Sequence, residues 1–278
     1  MDKPFIGLLP AGGRARRLAP LRYPKELLPI SYYRDEVGGM RARAVAEYAI
    51  EAIRLAEVVR VLLVVAPWKM DIVSYVGDGR QFGVDVGYLY QQDARGLPAA
   101  LDLASPWCHG CHTVFALPDT IFEPRDALRT LRALYLDERA DLALAIFPTP
   151  EPHRLGPVVL DGRRVARVLD KPTVPPAANT WAAGIWNDSF TALLHDSARH
   201  DGARHDSARH DGNHAIVAEN GREPVLGDVF ERAIHEGMRV VGLEFRDGSF
   251  TDIGTPDGMR RCLSGTRPPA LAGLGGRP

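Results

Sequence analysis

A glycine-rich turn and a cluster of positive charge lie near the start of the chain. The apolar run at 4–9 is followed by Gly12 and Gly13, and residues 14–25 carry five cations. These cations are Arg14, Arg16, Arg17, Arg22 and Lys25. Free backbone N–H groups in a turn after a strand, with positive charge beside them, suit a phosphate group. On these residues alone, a phosphate site and a surface turn with solvated arginines fit equally well.

Two aspartates stand where short apolar segments end. Asp119 follows "VFALP", and Asp252 lies within "SFTDIGTP". Two carboxylates from distant segments, each at a strand end, suit a Mg²⁺ ion that also binds phosphate oxygens. Either aspartate alone is more often a turn or helix-capping residue. The metal interpretation therefore requires that the fold bring both segments to the same edge of a sheet.

The segment "CHGCH" at 108–112 matches the pattern of covalent haem attachment. That chemistry requires export, and the start of the chain lacks the basic leader and long apolar core of a signal peptide. The segment also continues directly into an apolar, strand-like run. We therefore favour chance composition over a haem site or a thioredoxin-like redox site.

Strand and helix patterns alternate over the first 150 residues. Apolar runs predict buried strands at 4–9, 58–66, 84–90, 113–117 and 140–148. Helical spacing of apolar residues predicts helices at 40–57, 97–104 and 125–138. Alternation of this kind is typical of a Rossmann-like α/β fold, in which helices flank a mostly parallel sheet.

The pattern changes after about residue 150. Two short strands around Asp161-Gly162 predict a hairpin, and further strands and one helix follow up to about residue 264. We predict a single unit over 1–264, divided into a larger part at about 1–150 and a smaller, β-containing part at about 151–264.

A five-residue His-Asp unit repeats four times over 195–214, with a degenerate last copy. A period of five fits neither a helix nor a strand, so we expect a duplication in an exposed loop rather than a metal site. The tail at 265–278 is rich in glycine and proline, and we expect it to be disordered.

Charge and hydropathy narrow the possible partners. The formal net charge is −1, so no overall field favours nucleic acid or an anionic membrane surface. No stretch approaches the roughly 20 consecutive apolar residues that cross a bilayer. We expect a cytoplasmic protein that binds neither nucleic acid nor a membrane.

The segment "AGGRARRLAPLRYPKELLPI" resembles the signature of the sugar-1-phosphate nucleotidyltransferases, also called NDP-sugar pyrophosphorylases. It is most similar to the glucose-1-phosphate thymidylyl- and uridylyltransferases. Four further segments resemble family motifs in the right order, namely those at 76–101, 115–124, 154–172 and 250–256. One such motif would be weak, but five in order over about 5–262 indicate the family.

The resemblance implies transfer of a nucleotidyl group from a nucleoside triphosphate, with UTP or dTTP favoured, to a sugar 1-phosphate. It implies catalytic roles for Arg17 and Lys25, and Mg²⁺ binding by Asp119 and Asp252. The nucleotide-binding residues that it implies are Gly12, Gly13, Gln91 and Gly96. The residues that it implies for the sugar phosphate are Gly156, Asp170, Lys171, Asn179 and Gly184. It also implies a homo-oligomer, a nucleotide-binding part at about 1–150 and a sugar-phosphate-binding part at about 151–264.

Several residues depart from the family pattern. Ala15 and Arg16 replace a glycine and a hydroxyl residue, Pro118 replaces a glycine, Leu155 replaces an aromatic residue, and Asp170 stands where glutamate is usual. We therefore expect an atypical sugar or cyclitol phosphate, or reduced activity, on an intact fold. The alternative is a catalytically silent homologue that binds nucleotide and regulates a partner. A glycosyltransferase ranks last, because the chain has no Asp-x-Asp triplet.

Overall fold

The computed structural model describes residues 3–35, 37–208 and 225–264. The strands are β1 (Phe5–Pro10), β2 (Pro29–Arg34), β3 (Met40–Ala44), β4 (Arg60–Val65), β5 (Asp85–Tyr90), β6 (His112–Ala116), β7 (Thr120–Glu123), β8 (Leu142–Pro148), β9 (Val158–Asp161), β10 (Arg164–Val168), β11 (Asn179–Trp186), β12 (Val240–Glu244) and β13 (Ser249–Asp252). The helices are α1 (Val45–Leu55), α2 (Met70–Val76), α3 (Leu97–Asp102), α4 (Ser105–Cys108), α5 (Ala127–Asp137), α6 (Asp188–Ala208), α7 (Leu226–His235) and α8 (Pro256–Leu263).

Nine strands form one central sheet in the order β5-β4-β1-β6-β11-β8-β12-β10-β9. Strands β5, β4, β1 and β6 pair in parallel, as do β8 and β12, while β11 runs antiparallel between β6 and β8. The carboxyl ends of β5, β4, β1, β6, β8 and β12 therefore share one edge of the sheet. The mostly parallel α/β fold predicted from the sequence is confirmed.

The core lies on both faces of this sheet, which explains why the strands read as continuous apolar runs. Along β8, Ala143, Ala145 and Phe147 face the layer that contains α1 and α5. Leu142, Leu144 and Ile146 face the opposite layer, which contains α3, α6 and α7. Pairing of β8 with β11 makes the sheet continuous across residue 150, so both predicted parts share one core.

The helix predicted at 40–57 is wrong at its beginning. Met40–Ala44 forms β3, which pairs with β2 in a separate two-stranded sheet. The helix begins at Val45 because the side chain of Glu47 accepts a hydrogen bond of 2.7 Å from the N–H of Ala44. The apolar spacing of this stretch does not mark the boundary, but the carboxylate three residues into the helix does.

The exposed loop predicted for the His-Asp repeat is also wrong for 195–208, which continue α6; residues 209–214 and the tail at 265–278 lie outside the described residues. The helix begins on a cap, because Asn187 Oδ1 accepts hydrogen bonds from the N–H groups of Ser189 and Phe190. Buried Phe190 and Leu194 then fix its first turns. Once nucleated, the helix extends through the repeat, in which alanine and arginine favour helix although glycine and aspartate do not.

Over the described ranges, no helix has both the length and the apolarity that crossing a membrane requires. Cys108 and Cys111 are both buried free thiols. His112 is partly buried, its ring lies 4.8 Å from that of Phe5, and its Nδ1 lies 2.7 Å from the Tyr135 hydroxyl. Cys108, Cys111 and His112 of the haem-like pattern are thus packed within the fold.

Candidate active site

The glycine turn lies at the carboxyl end of β1. The N–H of Ala11 donates a 2.7 Å hydrogen bond to Val64 O, which ties the turn to the end of β4. Gly12 lies directly against Oε1 of Gln91, with no room for a side chain between them. Gly13 faces open space. The turn therefore brings Gly12, a predicted nucleotide-binding glycine, next to the predicted base-binding glutamine.

Two further features shape this turn. The guanidinium carbon of Arg14 lies 4.2 Å from the ring centre of half-exposed Trp68, in the geometry of a cation–π contact. Ala15 has a φ of 49°, in the left-handed region. Residues with a Cβ enter that region at a cost of roughly 1–2 kcal/mol, so the replacement of a family glycine by Ala15 places strain in the turn.

Asp119 and Asp252 are held side by side by the backbone. Asp119 lies three residues beyond the end of β6, and Asp252 is the last residue of β13. Asp252 pairs in register with Thr120 of β7, and the N–H of Ile253 donates a 3.1 Å hydrogen bond to Asp119 O. Two segments separated by over a hundred residues in sequence thus place their carboxylates at one point, where the two-stranded sheet of β7 and β13 follows the end of β6.

Lys25 and Gly254 complete this cluster. The ammonium of Lys25 donates to Oδ2 of Asp119, and the N–H of Gly254 donates a 2.7 Å hydrogen bond to Oδ1 of Asp252. A side-chain carbon on Gly254 would lie 2.8 Å from Asp252 Oδ1, 2.9 Å from Lys25 Nζ and 3.1 Å from Asp119 Oδ2. The three polar atoms therefore surround one small space, which only a residue without a side chain leaves open.

Burial and the neighbouring charges shift the pKa values of Lys25, Asp119 and Asp252. Burial alone would lower the pKa of Lys25, but Asp119 and the other nearby carboxylates outweigh it and raise that pKa. Burial likewise favours the neutral form of Asp119, yet the Lys25 ammonium holds its pKa below the usual value. Burial and the charge of Asp119 raise the pKa of Asp252. Arg17, with its Nη2 3.6 Å from Asp252 Oδ2, is the exposed cation of the group.

These residues fit a divalent cation such as Mg²⁺. Two carboxylates converge on a small space where a cation, the Lys25 ammonium, already binds one of them. No group of three or more metal-ligating side chains occurs among the described residues. A metal held by the two aspartates would therefore take its remaining oxygens from phosphate and water, as Mg²⁺ commonly does.

The predicted base-binding residues lie beyond the end of β5. Gln91 is buried, and its N–H donates a 2.8 Å hydrogen bond to Val65 O. Gly96 precedes α3 as its N-cap residue and has a φ of 87°, a conformation that favours glycine. The side-chain amide of Gln91 lies beside the glycine turn, where it can bind a polar edge of a flat ligand.

Part of the predicted sugar-phosphate set also comes together. The N–H of Lys171 donates a 2.8 Å hydrogen bond to Leu155 O, which places Lys171 beside Gly156. Gly156 lies against the indole ring of Trp181 at the start of β11. The carboxylate of Asp170 is mostly buried, with its Oδ1 4.0 Å from Lys171 Nζ, and the Lys171 side chain is mostly exposed. The exposed ammonium of Lys171 is therefore accessible to an anion from solvent.

Two other predicted residues are engaged within the sheet. The amide of Asn179 bonds both to Val158 N, at 2.9 Å, and to Val158 O, at 3.1 Å. It therefore joins β9 to β11 in this structure. Gly184 is buried between β6 and β8, where an added carbon would lie 3.2 Å from Ala143 O. Both residues thus have contacts within the central sheet.

Four residues of this region were not predicted from the sequence: Glu26, Trp68, Lys69 and Gly254. The Lys69 ammonium lies 2.6 Å from both carboxylate oxygens of Glu26, and both side chains are buried. Trp68 and Lys69 follow β4, so their place after a strand was the available signal. Glu26 and Gly254 stood within recognised motifs, but their neighbours in space cannot be read from one sequence.

Known proteins resemble this chain in sequence. The family model described as nucleotidyl transferase matches residues 6–265. A glucose-1-phosphate thymidylyltransferase of Streptomyces griseus is 30% identical over 173 residues, which are 60% of this chain and 45% of that protein. The low-salt glycan biosynthesis nucleotidyltransferase Agl11 of Haloferax volcanii is 25% identical over 174 residues, which are 61% of this chain and 45% of that protein. The chain spans about half the length of the curated relatives that it matches.

Solved structures resemble the chain over nearly its whole length. A Bacillus anthracis protein assigned as a glucose-1-phosphate thymidylyltransferase, in complex with a sucrose, has a TM-score of 0.74 at 20% identity, and the match covers 94% of each chain. A UDP-glucose pyrophosphorylase with UDP-glucose has a TM-score of 0.70 at 16% identity, covering 94% of this chain and 97% of the other. At these identities the likeness shows the shared fold.

Proposed function

The chain belongs to the nucleotidyl transferase family, and on that premise we propose that it transfers a nucleotidyl group from a nucleoside triphosphate to a sugar 1-phosphate. A phosphate oxygen of the sugar phosphate attacks the α-phosphorus. The bond from the α-phosphorus to the bridging oxygen breaks, and pyrophosphate leaves. The products are an NDP-sugar and pyrophosphate.

The observation that carries this proposal is the convergence of Lys25, Asp119 and Asp252 around the space beside Gly254. Both reactants are anions, so catalysis depends on neutralising them and aligning them for in-line attack. A buried lysine and a metal-binding carboxylate pair at the end of a glycine turn supply that arrangement. A purely structural ion pair would not require a third charged group packed against the same glycine.

The chain's own residues have separable roles in the proposed reaction. Lys25 exchanges its bond to Asp119 for an oxygen of the α-phosphate and stabilises the charge that develops there. Arg17 and the amides near Gly12 and Gly13 hold the rest of the triphosphate. The attacking phosphate oxygen is already anionic near neutral pH, so no general base is needed.

Asp119 and Asp252 would hold Mg²⁺ in this reaction. When bound, the metal supplies charge neutralisation for the triphosphate and the leaving pyrophosphate. The two carboxylates would hold the metal, and Asp119 can contribute to it once Lys25 has exchanged Asp119 for the α-phosphate.

We propose UTP or dTTP as the nucleotide, since the amide of Gln91 can pair with the acceptor and donor edge of uracil or thymine. On the sugar side, Lys171 binds the phosphate and Asp170 accepts hydrogen bonds from hydroxyls. Asp170 has a shorter reach than the glutamate usual in the family, which supports an atypical sugar or cyclitol phosphate as the acceptor.

The test is pyrophosphate release from UTP, dTTP, ATP and GTP with Mg²⁺ and a panel of hexose and cyclitol phosphates. We expect turnover with a pyrimidine nucleotide and one acceptor. Lys25→Met should lower kcat by about 10²–10³-fold, because it removes a donor to the reacting phosphate. Lys3→Met is the matched control, since Lys3 pairs with Asp188 at the surface, and it should leave kcat unchanged.

A negative result in the pyrophosphate assay would point to a different function. No pyrophosphate with any acceptor, combined with tight nucleotide binding that ignores Mg²⁺, would contradict the proposal and favour a silent nucleotide-binding homologue. Turnover that survives Lys25→Met at the wild-type rate would contradict the assigned role of Lys25.

A further inference from the structure

A second buried ion pair lies behind Lys25. Lys69 ends the short helical turn Pro67–Lys69 after β4, and its ammonium lies 2.6 Å from each carboxylate oxygen of Glu26. Lys69 is 3% exposed and Glu26 is 2% exposed. The reaction proposed above uses neither residue, although Glu26 is the immediate neighbour of Lys25 in the chain.

The pair is electrostatically coupled to the cluster. Burial raises the pKa of Glu26, and Lys69 and then Lys25 oppose that effect by favouring the charged form. Glu26 in turn helps to raise the pKa of Lys25. The Glu26 carboxylate therefore interacts with two ammonium groups, and Lys69 is the one that it bonds.

We propose that Lys69 is a positioning residue for Lys25. By occupying both oxygens of Glu26, it keeps that carboxylate away from Lys25, so that Lys25 has only Asp119 to leave when the α-phosphate arrives. This inference rests on the proposed function, because that function gives Lys25 its partner in the reaction.

Removal of Lys69 would leave the buried Glu26 carboxylate without its bonded cation. Glu26 has almost no contact with water, so its carboxylate would either take up a proton or turn to Lys25, the other cation acting on it. Held by Glu26 and Asp119 together, Lys25 would be withdrawn from the phosphate. Stability alone does not account for the pair, because apolar residues of similar volume often stabilise a core as well as a buried ion pair does.

The experiment compares Lys69→Met, Lys69→Arg and the double variant Glu26→Gln/Lys69→Met. Lys69→Met should lower kcat by roughly 100-fold, the effect of a small misplacement of a reacting group. The KM for the triphosphate should change by less than about threefold, since the glycine turn and Arg17 stay in place.

The double variant removes the carboxylate charge together with its partner, so it should recover kcat to within about tenfold of the wild type. Lys69→Arg keeps a cation that can bond both oxygens, and it should stay close to the wild type. A double variant as slow as Lys69→Met would overturn the proposal. So would a folded Lys69→Met with wild-type kcat.

Arg43→Met is the control for lost stability. Arg43 is another buried cation, with its Nη2 2.6 Å from Glu51 Oε2, and it lies outside the active cluster. It should lower the unfolding temperature while kcat remains at the wild-type value. Equal losses of kcat in Arg43→Met and Lys69→Met would show a general structural effect and would overturn the positioning role.

A readout independent of turnover uses the four lysines of the chain, Lys3, Lys25, Lys69 and Lys171. Reductive methylation followed by mass spectrometry reports the rate at each lysine, with exposed Lys3 and Lys171 as internal references. In Lys69→Met, Lys25 should react several-fold more slowly than in the wild type. An unchanged Lys25 rate overturns the positioning role, whereas a wild type without turnover overturns only the proposed function.

Discussion

Replacement of Gly254 by alanine tests the space between Lys25 and the two aspartates. The new methyl carbon would lie 2.8 Å from Asp252 Oδ1, 2.9 Å from Lys25 Nζ and 3.1 Å from Asp119 Oδ2. All three distances are shorter than an ordinary van der Waals contact of about 3.5–4.0 Å. At least three charged atoms must therefore shift, and none of them can shift without affecting the others.

The losses of stability and of kcat in Gly254→Ala depend on how far the neighbouring groups can move. Asp252 Oδ1 accepts the N–H of Gly254 itself at 2.7 Å, so it moves away only by weakening that bond. The backbone of Gly254 lies outside the left-handed region, so alanine adds no backbone strain. We expect a stability loss of about 1–3 kcal/mol from overpacking. We expect kcat to fall by about 100-fold from misplacement of Lys25 and the carboxylates.

Two assays measure this variant. Mn²⁺ binding followed by electron paramagnetic resonance reports the metal site without turnover, and pyrophosphate release reports catalysis. Gly227→Ala is the matched control, because its new carbon would have only ordinary contacts, the nearest 3.9 Å from Val168. A Gly254→Ala protein with wild-type kcat and wild-type Mn²⁺ affinity would refute the assigned metal space.

Three further results are expected. Ala15→Gly should raise the unfolding free energy by about 1 kcal/mol in denaturant titration, because a φ of 49° strains alanine; a lower value would contradict the strained turn. Trp68→Ala should raise the KM for the triphosphate by about two- to fivefold at constant kcat, because Arg14 loses its cation–π contact. An unchanged KM would show that this contact does not contribute to triphosphate binding. Burial raises the pKa of the Cys108 thiol to about 11, so native protein at pH 8 should resist alkylation at Cys108, whereas fast labelling would contradict its burial.

The sheet could be predicted, and candidate site residues could be named, because their signals are local. Apolar runs of strand length mark β1, β4 and β8 without any knowledge of their neighbours. Asp119 follows such a run at the end of β6, and the antiparallel pairing of β13 with β7 brings Asp252 beside it. Lys25 stood in a recognised motif, and its buried contact with Asp119 agrees with the proximity that was expected.

The remaining features depend on contacts between distant residues. Nothing in the sequence around Lys69 indicates that Glu26 is its partner, since 43 positions separate them. The five-residue period of the repeat did not indicate α6. That helix starts before the repeat, where Phe190 and Leu194 are buried. The roles of Asn179 and Gly184 in the sugar site, and the homo-oligomer, the cytoplasmic location and the two-part division of the chain, remain predictions.

The most direct test of the central claim is the fate of the α-phosphate. UTP or dTTP labelled at the α-phosphorus should transfer its label to the sugar nucleotide, while label at the γ-position should appear in pyrophosphate. Both transfers should require Mg²⁺, and Lys25→Met should slow both of them. Label from the α-position that appears in pyrophosphate or inorganic phosphate, or transfer at the wild-type rate after Lys25→Met, would contradict the account.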